Sequence, residues 1–175
     1  HQELGITVVY VTHDQSEAMT LSTSLAIMSG GCLQQTGEPA AVYADPANIF
    51  VARFIGSPSM NVFRMVRHGA MLSAVGERAA ILPLPSSVPV GEGEEVLVGV
   101  RAHHFSLASP GQQGVPVEVT FTEHLGRSNI LVCRPVGDAG YLVGQDAIQV
   151  ETDAETHFAP GDRLVLAARP QALRL

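Results

Sequence analysis

Thr7-Val8-Val9-Tyr10-Val11 runs directly into Thr12-His13-Asp14-Gln15-Ser16-Glu17-Ala18-Met19-Thr20-Leu21. The first five residues are β-branched or aromatic, the composition of a strand covered on both faces. Asp14 can accept hydrogen bonds from the free N–H groups that open a helix. Glu17, three residues later, completes a capping-box pattern with Asp in place of Ser or Thr. His13 therefore sits between the carboxyl end of an expected strand and the start of an expected helix. In open α/β sheets this is where ligands bind.

Outward from this point the alternation continues. Leu25-Ala26-Ile27-Met28 and Cys32-Leu33-Gln34-Gln35 flank Ser29-Gly30-Gly31, which predicts a hairpin with a glycine turn and no function of its own. Pro39 suits the first turn of a short helix through Tyr43. A second helix is expected from Ala47 to Ile55, with Ile49, Phe50, Ala52 and Phe54 near one apolar face. Gly56 stops it and Pro58 prevents its resumption.

Beyond Asn61 the texture becomes all β. Runs at Val62–Val66, Ala80–Leu84, Glu95–Val100, Val115–Phe121, Ile130–Cys133 and Leu164–Ala167 are separated by Gly, Pro, Asp or Ser. Many short strands at this spacing predict a small barrel or sandwich, and a partly open five-stranded barrel of the oligonucleotide/oligosaccharide-binding (OB) type fits. No internal repeat stands out. Ser57-Pro58-Ser59 marks the boundary, giving domains 1–58 and 59–175.

The 175 residues are 46% hydrophobic and 15% charged, as expected of a folded chain. The formal net charge of −7 offers no basic footprint for nucleic acid. The absence of Trp removes the commonest stacking platform. No apolar run is long enough to span a bilayer, and no export signal is visible at the start. Cys32 and Cys133 lie far apart and read as two free thiols.

The segment VTHDQSEAMTL resembles the switch-histidine loop of the ATP-binding subunits of ABC transporters, especially importers of maltose and glycerol-3-phosphate type. Asp45-Pro46 and Phe50-Val51-Ala52-Arg53-Phe54-Ile55-Gly56-Ser57-Pro58-Ser59-Met60-Asn61 resemble the segment joining nucleotide-binding and regulatory domains in that family. Gly99-Val100-Arg101-Ala102-His103-His104 is similar to its Gly-Ile-Arg-Pro-Glu-His, with Ala102 and His103 in place of Pro and Glu. Glu123-His124-Leu125-Gly126-Arg127 resembles its Glu-x-Leu-Gly element. The resemblance implies a mixed fold: an α/β remnant of a nucleotide-binding domain, then an all-β, OB-like regulatory barrel of the TOBE type. It makes His13 the switch histidine, donating to the γ-phosphate of ATP in an intact parent that also binds Mg. In such subunits the phosphate loop, signature motif and metal-binding carboxylates precede this histidine. No Gly-x-x-x-x-Gly-Lys-Ser/Thr cradle occurs in this sequence, so the chain itself is expected not to hydrolyse ATP and to need no cofactor.

The same resemblance implies a homodimer that drives two transmembrane permease subunits from the cytoplasmic face of the inner membrane, as a peripheral protein. A regulator of the sugar phosphotransferase system is a further partner in the maltose type. The alternative is a module that senses a small oxyanion or sugar, with Arg101 and Glu123 as charged candidates in the β region. His103 and His104 would point to opposite faces of a strand, which opposes joint metal ligation. His68, His124 and His157 have no partner at ligand spacing, so no metal site is expected.

Overall fold

The computed structural model describes residues 5–85 and 89–174, which divide into two compact units, His1–Gly56 and Ser57–Leu175. In the first unit, helix α1 (Gln15–Leu21) is followed by a hairpin of β1 (Leu25–Ser29) and β2 (Cys32–Gly37). Two short helices follow, α2 (Pro39–Ala44) and α3 (Ile49–Phe54). The hairpin turns at Gly30 and Gly31, whose φ angles of 57° and 78° are natural only for glycine. A small core gathers Ile27, Val42, Val51 and Ile55, with Met19 and Tyr43 packed against it. Asn48 caps α3 by accepting from Val51 N–H at 3.0 Å, and Gln35 ties the preceding loop through Asp45 O and Ala47 N.

Two expectations fail in this unit. Thr7–Val11 is extended but is not a strand, because a strand exists only through pairing and no described strand pairs with it. Its valines, expected to be buried, are exposed: Val9 by 88% and Val11 by 90%. The parallel α/β layer therefore does not form among the described residues. In α3 the buried face is Val51, Ala52 and Ile55, whereas Ile49, Phe50 and Phe54 lie outside. Phe50 and Phe54, four residues apart, stack on each other at 5.5 Å.

The second unit is all β. Its strands are β3 (Asn61–His68), β4 (Met71–Ala74), β5 (Glu77–Pro83), β6 (Glu95–Val100), β7 (Phe105–Leu107), β8 (Val115–His124), β9 (Ser128–Pro135), β10 (Ile148–Asp153), β11 (Arg163–Ala168) and β12 (Leu173–Arg174). They form two five-stranded antiparallel sheets, ordered β12-β6-β3-β4-β5 and β7-β11-β8-β9-β10. One core fills the space between them, including Phe63, Met65, Leu72, Leu82 and Val98 from the first sheet, and Val117, Val119, Leu131, Ile148 and Leu166 from the second. Backbone bonds from Arg64 N to Tyr141 O, Val143 N to Val62 O and Ile81 N to Gly114 O join the sheets into a nearly closed barrel.

The two sheet orders are the same order written twice, so the unit contains an internal repeat that the sequence conceals. Glu94–Leu107 aligns with residues 162–175: each runs from an acidic residue through a strand to an arginine, a single 3-10 turn and a short strand. Both long strands share one burial pattern, exposed at the start and buried over the last three residues. Each short strand crosses to the other sheet. Phe105 pairs with Ala168 while Leu173 pairs with Val100. Side-chain identity is lost between the halves because only burial is shared, which is why reading by residue type misses the repeat. The doubling also corrects the expected single five-stranded barrel.

Asn61 holds the seam. It is 1% exposed, and its carboxamide bonds backbone on both sheets. Nδ2 donates to Gln149 O at 2.9 Å and Val100 O at 3.2 Å, while Oδ1 accepts from Gln149 N at 2.8 Å and from Gln145 Nε2 at 3.4 Å. Asn61→Ala strands three backbone groups and is expected to cost about 2–4 kcal/mol. Gln149→Ala, which keeps those backbone groups, should cost under about 1 kcal/mol. Urea denaturation of both variants is the check, and equal midpoints would contradict the seam role.

Candidate functional site

The helix start around His13 is built by a short hydrogen-bonded knot. Asp14 accepts from Ser16 N at 2.7 Å and Glu17 N at 3.1 Å, as an N-cap should. Glu17 does not close the expected capping box. It accepts instead from Thr12 Oγ1 at 2.7 Å and Tyr10 OH at 3.1 Å, and Thr12 Oγ1 takes the Asp14 N–H at 3.0 Å. The Glu17 carboxylate, by hydrogen bond first and charge second, holds the Tyr10 phenol above its ordinary pKa. His13 projects from this knot, exposed, beside Asp14. The surrounding carboxylates repel phosphate, so the imidazole is the one candidate phosphate donor in the segment Tyr10–Glu17.

A second cluster lies where the repeated strands cross. Arg101 is buried at the end of β6, and Ala102–His104 form a 3-10 turn. That turn replaces the strand considered for His103 and His104. Their rings lie on the same side, 4.2 Å apart and tilted by 60°. Arg174, on β12, pairs with Gly99 in the strand that leads into the turn. The His104 pKa is lowered, first by burial and then by the charges of His103, Arg174 and Arg101. Glu123, the other charged candidate, lies exposed on β8 in the opposite sheet.

The remaining histidines do not assemble a metal centre, and among the described residues no group of three or more His, Cys, Asp or Glu could hold one. His124 Nδ1 meets Asn129 Oδ1 at 2.8 Å, with the His157 ring 6.4 Å away. Asn129, 2% exposed, donates to the carbonyls of Asp153, Ala154 and Thr156, gathering the turn after β10. Cys32 is exposed and Cys133 buried, both free, and burial pushes the Cys133 thiol up to about 11. The concavities are open depressions, one of about 350 Å³ between Leu107–Gln112 and Arg163–Val165, away from both clusters. Asn61, Asn129 and Tyr141 were not singled out from sequence. The available signal was polar residues inside otherwise apolar strand runs.

Residues 98–175 match the model of the TOBE domain. The chain is 38% identical over 174 residues to the lactose transport ATP-binding protein LacK of Rhizobium radiobacter, covering 90% of this chain and 48% of that protein. It is 41% identical over 132 residues to the sn-glycerol-3-phosphate import ATP-binding protein UgpC of Pectobacterium atrosepticum, covering 74% of this chain and 36% of that protein. The chain thus spans about half the length, or less, of these curated relatives. Among solved structures, the cytoplasmic molybdate-binding protein ModG is a distant likeness, at a TM-score of 0.44 and 20% identity over 65% of this chain and 93% of that one.

His104 gives the second cluster a pH signature. Its folded pKa lies below the ordinary 6.5, so the unfolded chain binds the proton more readily. The stability it contributes is complete above about pH 6.5 and is lost as pH falls through that value towards the lower folded pKa. His104→Gln is therefore expected to flatten the fall in melting temperature between pH 8 and pH 5. Parallel curves for wild type and variant would contradict this.

Proposed function

We infer that this chain, which carries a TOBE domain and is a relative of the ATP-binding subunits of sugar and glycerol-3-phosphate ABC importers, works as the C-terminal part of such a subunit. The observation that carries the reading is the pairing of a match to these ATP-binding proteins over most of the chain with a TOBE domain over 98–175. In this reading residues 1–58 belong to the nucleotide-binding domain and 59–175 form the regulatory and dimerisation domain. Two copies would serve two transmembrane permease subunits at the cytoplasmic face of the inner membrane. A regulator of the sugar phosphotransferase system is the further partner proposed. No described helix is long and apolar enough to cross a membrane.

His13 is the residue proposed to touch ATP. An exposed imidazole beside the cap of α1 is free to donate a hydrogen bond to the γ-phosphate, and phosphoryl transfer depends on such positioning and charge stabilisation. The residues present do not by themselves fit ATP and Mg. The knot around His13 adds carboxylates, and the sequence has no glycine-rich phosphate cradle with its Lys and Ser/Thr. The 175-residue chain should therefore show no calorimetric binding of Mg-ATP at micromolar concentrations. In a full-length subunit carrying this segment, His13→Ala should cut steady-state ATP turnover at least tenfold while nucleotide binding persists. Undiminished turnover would remove the assignment.

A second reading, sensing of a small oxyanion, is favoured by one observation: the gathering of Arg101, His103, His104 and Arg174 around one 3-10 turn. An anion bound there would protect the native state by mass action. Sulfate or molybdate should then raise the melting temperature of wild type and not of His103→Ala. Equal shifts in both would leave only a general salt effect and eliminate this reading.

A further inference from the structure

Tyr141 is the largest wholly buried side chain of the second unit, with 0% exposure. Its ring stacks near Phe63 at 6.2 Å, and Phe63 meets Phe105 edge-on at 6.2 Å. The packing explains the ring and leaves the hydroxyl unexplained. The phenolic oxygen is buried and has no hydrogen-bond partner. An orphaned buried hydroxyl costs about 1–3 kcal/mol, and native structures rarely leave one without a bound group to meet it.

Two carboxylates stand by this hydroxyl. Glu77, at the start of β5, and Asp138, in the loop after β9, are the charged groups that bear on it, Glu77 more strongly, and with burial they push the phenol up to about 12. The two acids are placed reciprocally. A Cβ at Gly76, next to Glu77, would sit 3.4 Å from Asp138 Oδ2, while a Cβ at Gly137, next to Asp138, would collide with Glu77 Oε2. Both glycines have positive φ, 81° and 100°, so both turns admit the opposing carboxylate where a side chain would exclude it. The other oxygen of each acid is already committed: Glu77 Oε1 accepts from Ala79 N at 3.0 Å, and Asp138 Oδ1 from Gly140 N at 2.9 Å. Neither acid has an ion-pair partner among the described residues. Two adjacent, unneutralised carboxylate oxygens raise the energy of the fold unless a cation lies between them.

We propose that Glu77 Oε2, Asp138 Oδ2 and the Tyr141 hydroxyl form a binding site for a divalent cation, with Ca²⁺ as the ion of choice, across the seam between the two sheets. All three donors are oxygens, which suits a hard cation. Ca²⁺ tolerates the irregular geometry of two turns and one phenol, with water and backbone carbonyls completing its shell, whereas Mg²⁺ demands a near-octahedral cage. Glu77 belongs to one repeat and Asp138 and Tyr141 to the other, so the ion would fasten the halves from the side opposite to covalent continuity. The site is separate from His13 and from the turn at Ala102–His104, and it does not rest on the function proposed above.

The chain has three tyrosines and no tryptophan, which makes terbium luminescence a direct probe. Tb³⁺ titrated into the wild-type chain under tyrosine excitation should give saturable emission that Ca²⁺ displaces. Tyr141→Phe should abolish it although Tyr10 and Tyr43 remain. Ca²⁺ alone should raise the melting temperature of wild type, while Glu77→Gln and Asp138→Asn should each weaken Ca²⁺ binding at least tenfold. Asp138 is exposed, so D138N keeps the test open if E77Q fails to fold. Without metal, Tyr141→Phe should be as stable as wild type or more so, since it removes an unpartnered hydroxyl. Absence of saturable emission, emission that persists in Y141F, or equal Ca²⁺ affinity in wild type and D138N would overturn the site and leave water as the group that meets the hydroxyl.

Discussion

The carboxamide of Asn61 is the contact on which the β unit depends. Its four hydrogen-bonding positions are all engaged, on β3's neighbour β6 and on β10 of the opposite sheet. A hydrophobic core alone is non-directional and does not choose which strand edge meets which. A fully satisfied buried amide does choose, because any slip in register leaves donors and acceptors unpaired at a cost the core cannot offset. With β3 anchored to β10, Phe63 reaches Tyr141 and Phe105, and the two sheets share one interior.

The exchange of short strands makes the same point at larger scale. Each repeat finishes its sheet with a strand contributed by the other, so neither half can bury its core alone. Cooperative folding of Ser57–Leu175 as one body follows from this topology, and it explains why the turns at Ala102–His104 and Pro170–Ala172 occupy equivalent places. The positions are equivalent but the residues are not. One turn carries His103 and His104 beside a buried Arg101, while its counterpart carries Gln171 and Ala172 after an exposed Arg169. A duplicated frame thus offers two similar places, only one of which concentrates positive charge.

The first unit shows the opposite balance. Its hairpin, caps and short helices are locally determined, by Gly30-Gly31, Asp14, Pro39 and Asn48. Its core of four buried residues is small. The apolar residues Val8, Val9, Val11, Ile49, Phe50 and Phe54 lie on its surface. Exposed apolar side chains in this number mark a surface made for contact, consistent with a segment read as part of a larger nucleotide-binding domain.

What the sequence by itself determined were the features encoded within a few residues. The glycine hairpin, the Asp14 cap, the boundary near Ser57, the run of short strands after Asn61 and the family likeness of Val11–Leu21 are all of this kind. Each depends on backbone preference or on a motif that needs no distant partner. Only the tertiary structure decided the rest. Thr7–Val11 has strand composition, but strands are made by pairing, so composition could not make it one. The repeat of Glu94–Leu107 in residues 162–175 survives as a burial pattern and a topology, not as residue identities. Asn61, and the convergence of Glu77 and Asp138 on Tyr141, join positions many residues apart, and a sequence carries no record of which distant backbone a buried polar group will meet.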